Sequence, residues 1–337
     1  MQQAPAQRSG SVPRGFWAVC VGLFLIGFGL RIVVDSAAEP GGDDGTPAHV
    51  LLELLRADGQ APRTVSVYGG LGVWVDAFDF SPSYLGDADA PVTPDVVEEW
   101  ASLGVRTVYL QASRPDDRSP GTLLEEDLLA EFLLRAHAAD LLVVGWYLPT
   151  FADVDADLER LLAVAEFEAL GHRFDGVAVD IEYIESVPDP DERSARLVDL
   201  STRLRAARPG EALGAIVPPA VQLEVVNTTY WPRFPWRALD ASYDVWLPMA
   251  YWTTRDGTPY GDAYRYSEES TRRMRANIGR QDAVVHLVGG IGDATTPDDL
   301  EAFRRAVDDT GAIGASLYDW ASLPPDQRAA TPTLLPG

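Results

Sequence analysis

FDGVAVDIEY, residues 174–183, is the stretch on which the fold turns. Small and β-branched apolar residues from Gly176 to Val179 lead straight into two acids, Asp180 and Glu182. A short apolar run of this composition reads as a strand of a parallel sheet, covered on both faces. Side chains alternate along a strand, so Asp180 and Glu182 point to one face, about 7 Å apart along the backbone.

Seven more runs of the same character lie on either side of it. They are LGVWVDAF from Leu71, TVYLQAS from Thr107, LLVVGWYL from Leu141, ALGAIVPP from Ala212, VWLPMAYW from Val245, AVVHLVGGI from Ala283 and GASLYDW from Gly314. Between most of them fall helical patterns, among them TPDVVEEWASLG, LLEEDLLAEFLLRAHAA, DVDADLERLLAVAEFEALG, DERSARLVDLSTRLRAARPG, YSEESTRRMRANIG and TPDDLEAFRRAVDDTG. Several have an N-cap residue in front and Gly behind. Strands alternating with helices build a parallel sheet, and eight units close it, so the expected fold class is α/β, a (β/α)8 barrel over residues 70–325. Val221 to Asp240, with Asn227, Trp231 and Trp236, is expected to be a long connection after the fifth strand. Residues 326–337 are expected to be a Pro-rich tail too poor for a full eighth helix.

Such barrels gather their active sites at the C-terminal ends of the strands. The polar residues there are Asp76 and Asp79 after the first run, Gln111 in the second, Asp180 and Glu182 at the fourth, Tyr251 at the sixth, and Tyr318 with Asp319 at the eighth. Two like charges as close as Asp180 and Glu182 raise the pKa of one of them, which leaves one carboxyl protonated as an acid and the other charged. The bland alternative, a solvated acidic loop, fits poorly with acids embedded in apolar residues. Asp79 before Ser-Pro also suits a turn, and Asp319 could cap the last turn.

FDGVAVDIEY resembles the D-x-x-D-x-D-x-E strand-four signature of the family 18 glycoside hydrolases, the chitinase-like enzymes, with matches at Asp175, Asp180 and Glu182. LPMAYW is similar to the M-x-Y segment of that family's sixth strand and supplies Met249 and Tyr251. The resemblance implies a retaining hydrolysis in which the 2-acetamido oxygen of the sugar is the nucleophile. It implies Glu182 as the general acid, Asp180 as the group holding the acetamido N–H, and Tyr251 as donor to the acetamido carbonyl. It implies a substrate-binding role for Met249 and a sugar floor at Tyr318, where the family has a tryptophan. Trp74, Trp146 and Trp252 are further stacking candidates, and Asp76, Gln111 and Asp319 complete the expected substrate contacts. Three positions depart from the pattern: Ala178 replaces the middle acid, Trp252 stands where an acid or amide is usual, and LLVVGWYL has no Ser-x-Gly-Gly.

Other readings stay open at this level. Glu182 could pair with Asp76, Asp79 or Asp319 in a two-carboxylate mechanism, at about 5 to 9 Å. The barrel could also be a catalytically silent glycan binder, or an interaction scaffold. Gly289, Gly290 and Ile291 resemble a phosphate-binding turn, but tight-turn glycines are the plainer explanation. His49, His137, His172 and His286 fall in different elements without ligand spacing, so no metal and no other cofactor is expected, although carboxylates alone could hold Ca2+.

The formal net charge of −24 disfavours nucleic acid and anionic lipid partners. All 27 basic residues are Arg, which removes lysine Schiff-base and P-loop chemistry. Residues 15–34, GFWAVCVGLFLIGFGLRIVV, are of membrane-spanning length and hold the lone cysteine, Cys20. Arg8 and Arg14 before this stretch, and Asp35, Glu39, Asp43 and Asp44 after it, predict a cytoplasmic N-terminus (1–14) and a single-pass signal anchor with the barrel outside. A cleaved signal peptide ending near Ala38, giving a secreted protein, is the rival. Residues 35–46 read as a linker, and 47–69 as a helix around Val50, Leu51, Leu54 and Leu55 with a lead-in to the barrel. The partners expected are a polysaccharide or cell-wall glycan, and a membrane through the N-terminal helix.

Overall fold

The computed structural model describes residues 63–335. Eight strands follow in order: β1 (Gly70–Val75), β2 (Thr107–Ser113), β3 (Leu142–Tyr147), β4 (Gly176–Asp180), β5 (Leu213–Val217), β6 (Val245–Pro248), β7 (Val284–Ile291) and β8 (Gly314–Tyr318). Each pairs in parallel with its sequence neighbours, and β8 pairs with β1, so the sheet closes into a barrel. All eight apolar runs of the sequence are barrel strands.

Eight helices follow the strands: α1 (Val97–Ser102), α2 (Glu126–Ala138), α3 (Val154–Glu166), α4 (Pro190–Ala207), the single turn α5 (Trp236–Leu239), α6 (Ala263–Ile278), α7 (Pro297–Thr310) and α8 (Pro325–Ala330). Local chemistry sets their ends. Asp153, Asp189 and Asp262 accept hydrogen bonds from first-turn amides of α3, α4 and α6. Thr296 and Asp299 form a capping box on α7, and Gly279 and Gly311 end α6 and α7 with positive φ.

Strand alternation divides the core in two. Val73, Val75, Val177, Val179, Leu213, Ala215, Leu287 and Leu317 face outward into the layer beneath the helices. Trp74, Tyr109, Val144, Trp146, Ala178, Ile216, Leu247 and Val288 fill the barrel interior. Tyr68, from a 3-10 turn before β1, plugs the N-terminal end: its hydroxyl donates to the Val177 carbonyl at 2.7 Å. Gly214 makes room for it, because a Cβ there would stand 2.7 Å from the Tyr68 ring. His286 also lies in the interior. Its Nδ1 donates to the Tyr68 carbonyl at 2.8 Å and its Nε2 accepts from Ser316, so burial holds the ring neutral with a pKa lowered to about 4.

Three local expectations need correction. The helix pattern over 153–171 stops at Glu166, and Glu168–Arg173 turns back as a two-stranded hairpin through Leu170 and Gly171, both at positive φ. That is the twist a two-residue hairpin loop requires. The 221–240 connection begins with a π-helical turn, Gln222–Val226, and ends in α5, with Trp231 and Trp236 buried. The C-terminal tail does supply an eighth helix, six residues long, and the 3-10 turn after it buries Leu334. The expected membrane segment at 15–34 and the helix around Val50 lie outside the described residues. Among the described residues no helix is long and apolar enough to cross a membrane.

Candidate active site

Asp180 is the last residue of β4 and points into the mouth of the barrel, above Ala178. It is 7% exposed, and among the described residues its Oδ1 has no hydrogen-bond partner. Burial pushes its carboxyl well above the usual carboxylate range, the charge of Glu182 adds to this, and Arg114 opposes it. Glu182, two residues on and half-buried, is raised by burial and opposed by Arg114. Its backbone carbonyl is fixed by the Tyr230 hydroxyl, which donates at 2.6 Å. Asp180 and Glu182 therefore lie together at the mouth, each with its carboxyl raised by burial.

Tyr251 follows β6, where the Met249–Val288 bridge brings the chain against β7. Burial raises its pKa strongly, and Glu182, Asp180, Asp319 and Asp76 all add to the shift. The hydroxyl therefore stays protonated, in the field of these four acids. Its ring lies 5.6 Å from that of Tyr318, whose hydroxyl donates to Asp76 Oδ2 at 2.6 Å. Met249 is buried, in the interior cluster below Tyr251.

Asp76, Asp79 and Asp319 gather on the β1 and β8 side, with carboxylate oxygens within 4.8 Å of one another. Asp76 and Asp79 form a capping box on the one-turn helix Ala77–Phe80: Asp76 Oδ1 accepts from the Phe78 amide at 2.7 Å, and Asp79 Oδ2 from the Asp76 amide at 2.9 Å. Asp319 Oδ1 accepts from the Ser322 amide at 2.8 Å. Burial, then the charges of Asp76 and Asp319, raise the Asp79 pKa to about 8. This trio has the spacing of a divalent-cation site, but a carboxyl that keeps its proton is a weak ligand. At the other end of the barrel His137, His172 and Asp175 bond to each other, with His137 Nε2 2.9 Å from Asp175 Oδ2.

The three tryptophans expected to stack on a sugar lie elsewhere. Trp74 and Trp146 face the barrel axis but one layer beneath the acids. They are 2% and 4% exposed; Trp74 stacks on Tyr109 and donates to Ser316 Oγ at 2.8 Å. They support the floor and offer no open face. Trp252 points away from the axis and packs on Phe303 under α7, at 1% exposure. Gly289 and Gly290 exist for that packing, since a Cβ on either would stand 2.9 Å from the Trp252 ring, which answers the phosphate-turn resemblance. Gln111 is fully buried, and its Oε1 accepts from the Ala77 amide at 2.9 Å, so it anchors the loop after β1 instead of meeting substrate.

Four residues unsuspected from sequence complete the mouth. Tyr230 comes from the long β5 connection. Phe78, Tyr84 and Arg114 form a rim on the β1 and β2 side, with the Arg114 guanidinium 4.9 Å from the Phe78 ring centroid and 5.7 Å from that of Tyr84.

No protein-family model matches the chain, and no curated protein matches it in sequence. Solved structures do match in fold. The glycoside hydrolase domain of PgaB (BpsB) from Bordetella bronchiseptica aligns at TM-score 0.53 and 15% identity, over 80% of this chain and 99% of that one. The class V chitinase from Nicotiana tobaccum aligns at TM-score 0.53 and 11% identity, over 79% and 98%. The endo-1,4-β-D-mannanase from Thermotoga petrophila aligns at 0.54 and 10%, over 74% and 88%. At such identities the likeness establishes the fold: the chain is a parallel (β/α)8 barrel of the kind found in chitinases and other glycoside hydrolases.

Proposed function

We propose that this chain is a glycoside hydrolase acting on a β-linked N-acetylhexosamine polymer of the chitin or peptidoglycan type, with Glu182 as general acid. The observation that carries the reading is the pair of strand-four carboxyls at the barrel mouth, Asp180 buried with an unpartnered Oδ1 and Glu182 two residues on, both raised in pKa, with Tyr251 in their field. A raised carboxyl keeps the proton that a leaving glycosidic oxygen needs. Asp180, with an unpartnered oxygen, accepts from the acetamido N–H and turns the acetamido oxygen towards the anomeric carbon. Tyr251 donates to that oxygen as it attacks, and water then opens the oxazolinium intermediate with Glu182 as base. Tyr318, held by Asp76, forms the sugar floor. The barrel works outside the cytoplasm, tethered by residues 15–34.

A second reading is favoured by the gathering of Asp76, Asp79 and Asp319 on the opposite wall, where a carboxylate could serve as partner to Glu182 in a two-carboxylate hydrolysis. Release of reducing ends from chitin oligomers and from purified peptidoglycan, by the wild-type chain beside Glu182→Gln, tests the proposal. Loss of release in the variant, with an oxazoline analogue inhibiting the wild type, supports the acetamido route. Release without such inhibition favours the two-carboxylate route. Binding without release would make the barrel a glycan-binding protein.

A further inference from the structure

The rim formed by Phe78, Tyr84, Arg114 and Arg118 combines exposed aromatic surface with positive charge. Phe78 is 45% exposed and packs edge-on against Tyr84, ring centroids 5.3 Å apart. Arg114 and Arg118 both lie over these rings, Arg118 at 4.2 Å from the Tyr84 centroid. Arg118 is committed to Asp116 through two hydrogen bonds of 2.9 and 2.7 Å. Arg114 differs: its side chain makes no hydrogen bond or ion pair with any described residue, although its backbone carbonyl is held by Ser119 and Arg160 at 3.2 Å each. A half-buried Arg114, seated on aromatic rings by a braced loop, presents a planar fork of donors at the rim. Its charge reaches Asp76, Asp180 and Glu182, which fixes it at the edge of the same cleft.

From this geometry we infer that the rim is a subsite for a sugar bearing a carboxylate, with Arg114 binding the carboxylate through paired hydrogen bonds and Phe78 packing against the sugar ring. The inference rests on the glycosidase reading for the path of the glycan. It narrows the substrate to polymers in which an acidic sugar adjoins the N-acetylhexosamine that is cut. A carboxylate is the natural occupant because it matches the guanidinium fork two-to-two, and a neutral sugar hydroxyl does not. The neighbouring acids do not bar it: burial raises the carboxyls of Asp76 and Asp79, beside Phe78, and of Asp180, across the cleft, while Asp116 on the rim is paired with Arg118.

The test is titration calorimetry on the full chain carrying Glu182→Gln, which stops turnover. The probes are peptidoglycan glycan strands with free lactyl carboxylates, the same strands with those carboxylates converted to methylamides, and oligosaccharides alternating N-acetylhexosamine with uronate. The free carboxylate should bind about tenfold tighter than its amide, as a charge-assisted pair would give. Adding Arg114→Gln should bring the two together, and the tighter of the two acidic probes names the source of the carboxylate. Equal affinity for strand and amide, or a difference that survives Arg114→Gln, would overturn the inference. Cleavage of chitin oligomers by the wild type, measured alongside, judges the glycosidase reading separately, because the calorimetry reads binding alone.

Discussion

Asp79→Asn should stabilise the protein, and more so as the pH rises. Asp79 is 5% exposed, its oxygen lies within 4.8 Å of carboxylate oxygens on Asp76 and Asp319, and its pKa rises from an ordinary 3.8 to about 8. The sign follows from proton linkage. Below about pH 4 folded and unfolded chains both hold the proton, and the site costs nothing. Between there and about pH 8 the folded chain keeps a proton that the unfolded chain has released, so stability falls as the pH climbs. The limiting slope is about 1.4 kcal/mol per pH unit. Asp76, whose carboxyl burial also raises, shares in this titration, and half the slope over three units, from pH 5 to 8, comes to about 2 kcal/mol. Asparagine is the neutral isostere: its carbonyl can accept from the Asp76 amide as Asp79 does at 2.9 Å, and its NH2 can donate to the neighbouring carboxylates. Thermal unfolding at pH 5, 6.5 and 8 should show a wild-type Tm that declines and a variant Tm that declines less, with a gap of roughly 4–8 °C at pH 8 for a domain of this size. A variant less stable than wild type at pH 8, or one with an unchanged slope, would refute the reasoning.

Three other substitutions probe separate parts of the structure. Tyr230→Phe removes the 2.6 Å hydrogen bond to the Glu182 carbonyl and should lower kcat about tenfold with KM unchanged; a purely structural tyrosine would move Tm and leave kcat alone. Trp252→Ala should cost roughly 3–5 kcal/mol in denaturant unfolding by opening the layer against Phe303, while glycan affinity of the folded fraction stays as in wild type. Gly214→Ala sets a methyl 2.7 Å from the Tyr68 ring and should cost about 1–3 kcal/mol; an unchanged midpoint would mean that Tyr68 is not wedged against β5.

The barrel was legible because its strands are covered on both sides, which writes each of them as a near-continuous apolar run, and because most of the longer helices carry their caps in sequence. Asp180, Glu182 and Tyr251 stood out because Asp180 is the last residue of β4 and the other two follow β4 and β6 closely, where barrels of this class gather polar groups. The tryptophans were misjudged for two different reasons. Trp252 opens the 3-10 turn Trp252–Arg255 after β6, so that turn and not strand alternation sets its direction. Trp74 and Trp146 have the correct parity but sit too deep, and depth along the barrel axis depends on strand stagger, which no single run reveals. Arg114 escaped notice because the β2 pairing shifts register between Gln111 and Ser113, so parity counted from Tyr109 fails beyond that point. Tyr230 lies in a connection with no period at all, and only the folded path of that loop brings it to Glu182.

Ala178 ties these observations to the chemistry. It stands directly below Asp180 in the barrel, and with Val144, Trp146 and Ile216 around the same interior it makes the layer under the acid pair apolar. Among the described residues no acid rises from that layer beside Asp180, and its Oδ1 is left without a partner. The electrostatic support that a middle acid would provide from inside the barrel has to come from another direction. Among the described residues Arg114 supplies it from the rim, as the one cation that opposes the raised pKa of both Asp180 and Glu182. Support from the rim depends on what occupies the cleft, because any anion that binds Arg114 screens it from the acids and raises their pKa further. On the proposed reading, binding of an acidic sugar at the rim and protonation of the acid pair would therefore be linked, each favouring the other, so that Glu182 would keep its proton best with the glycan in place.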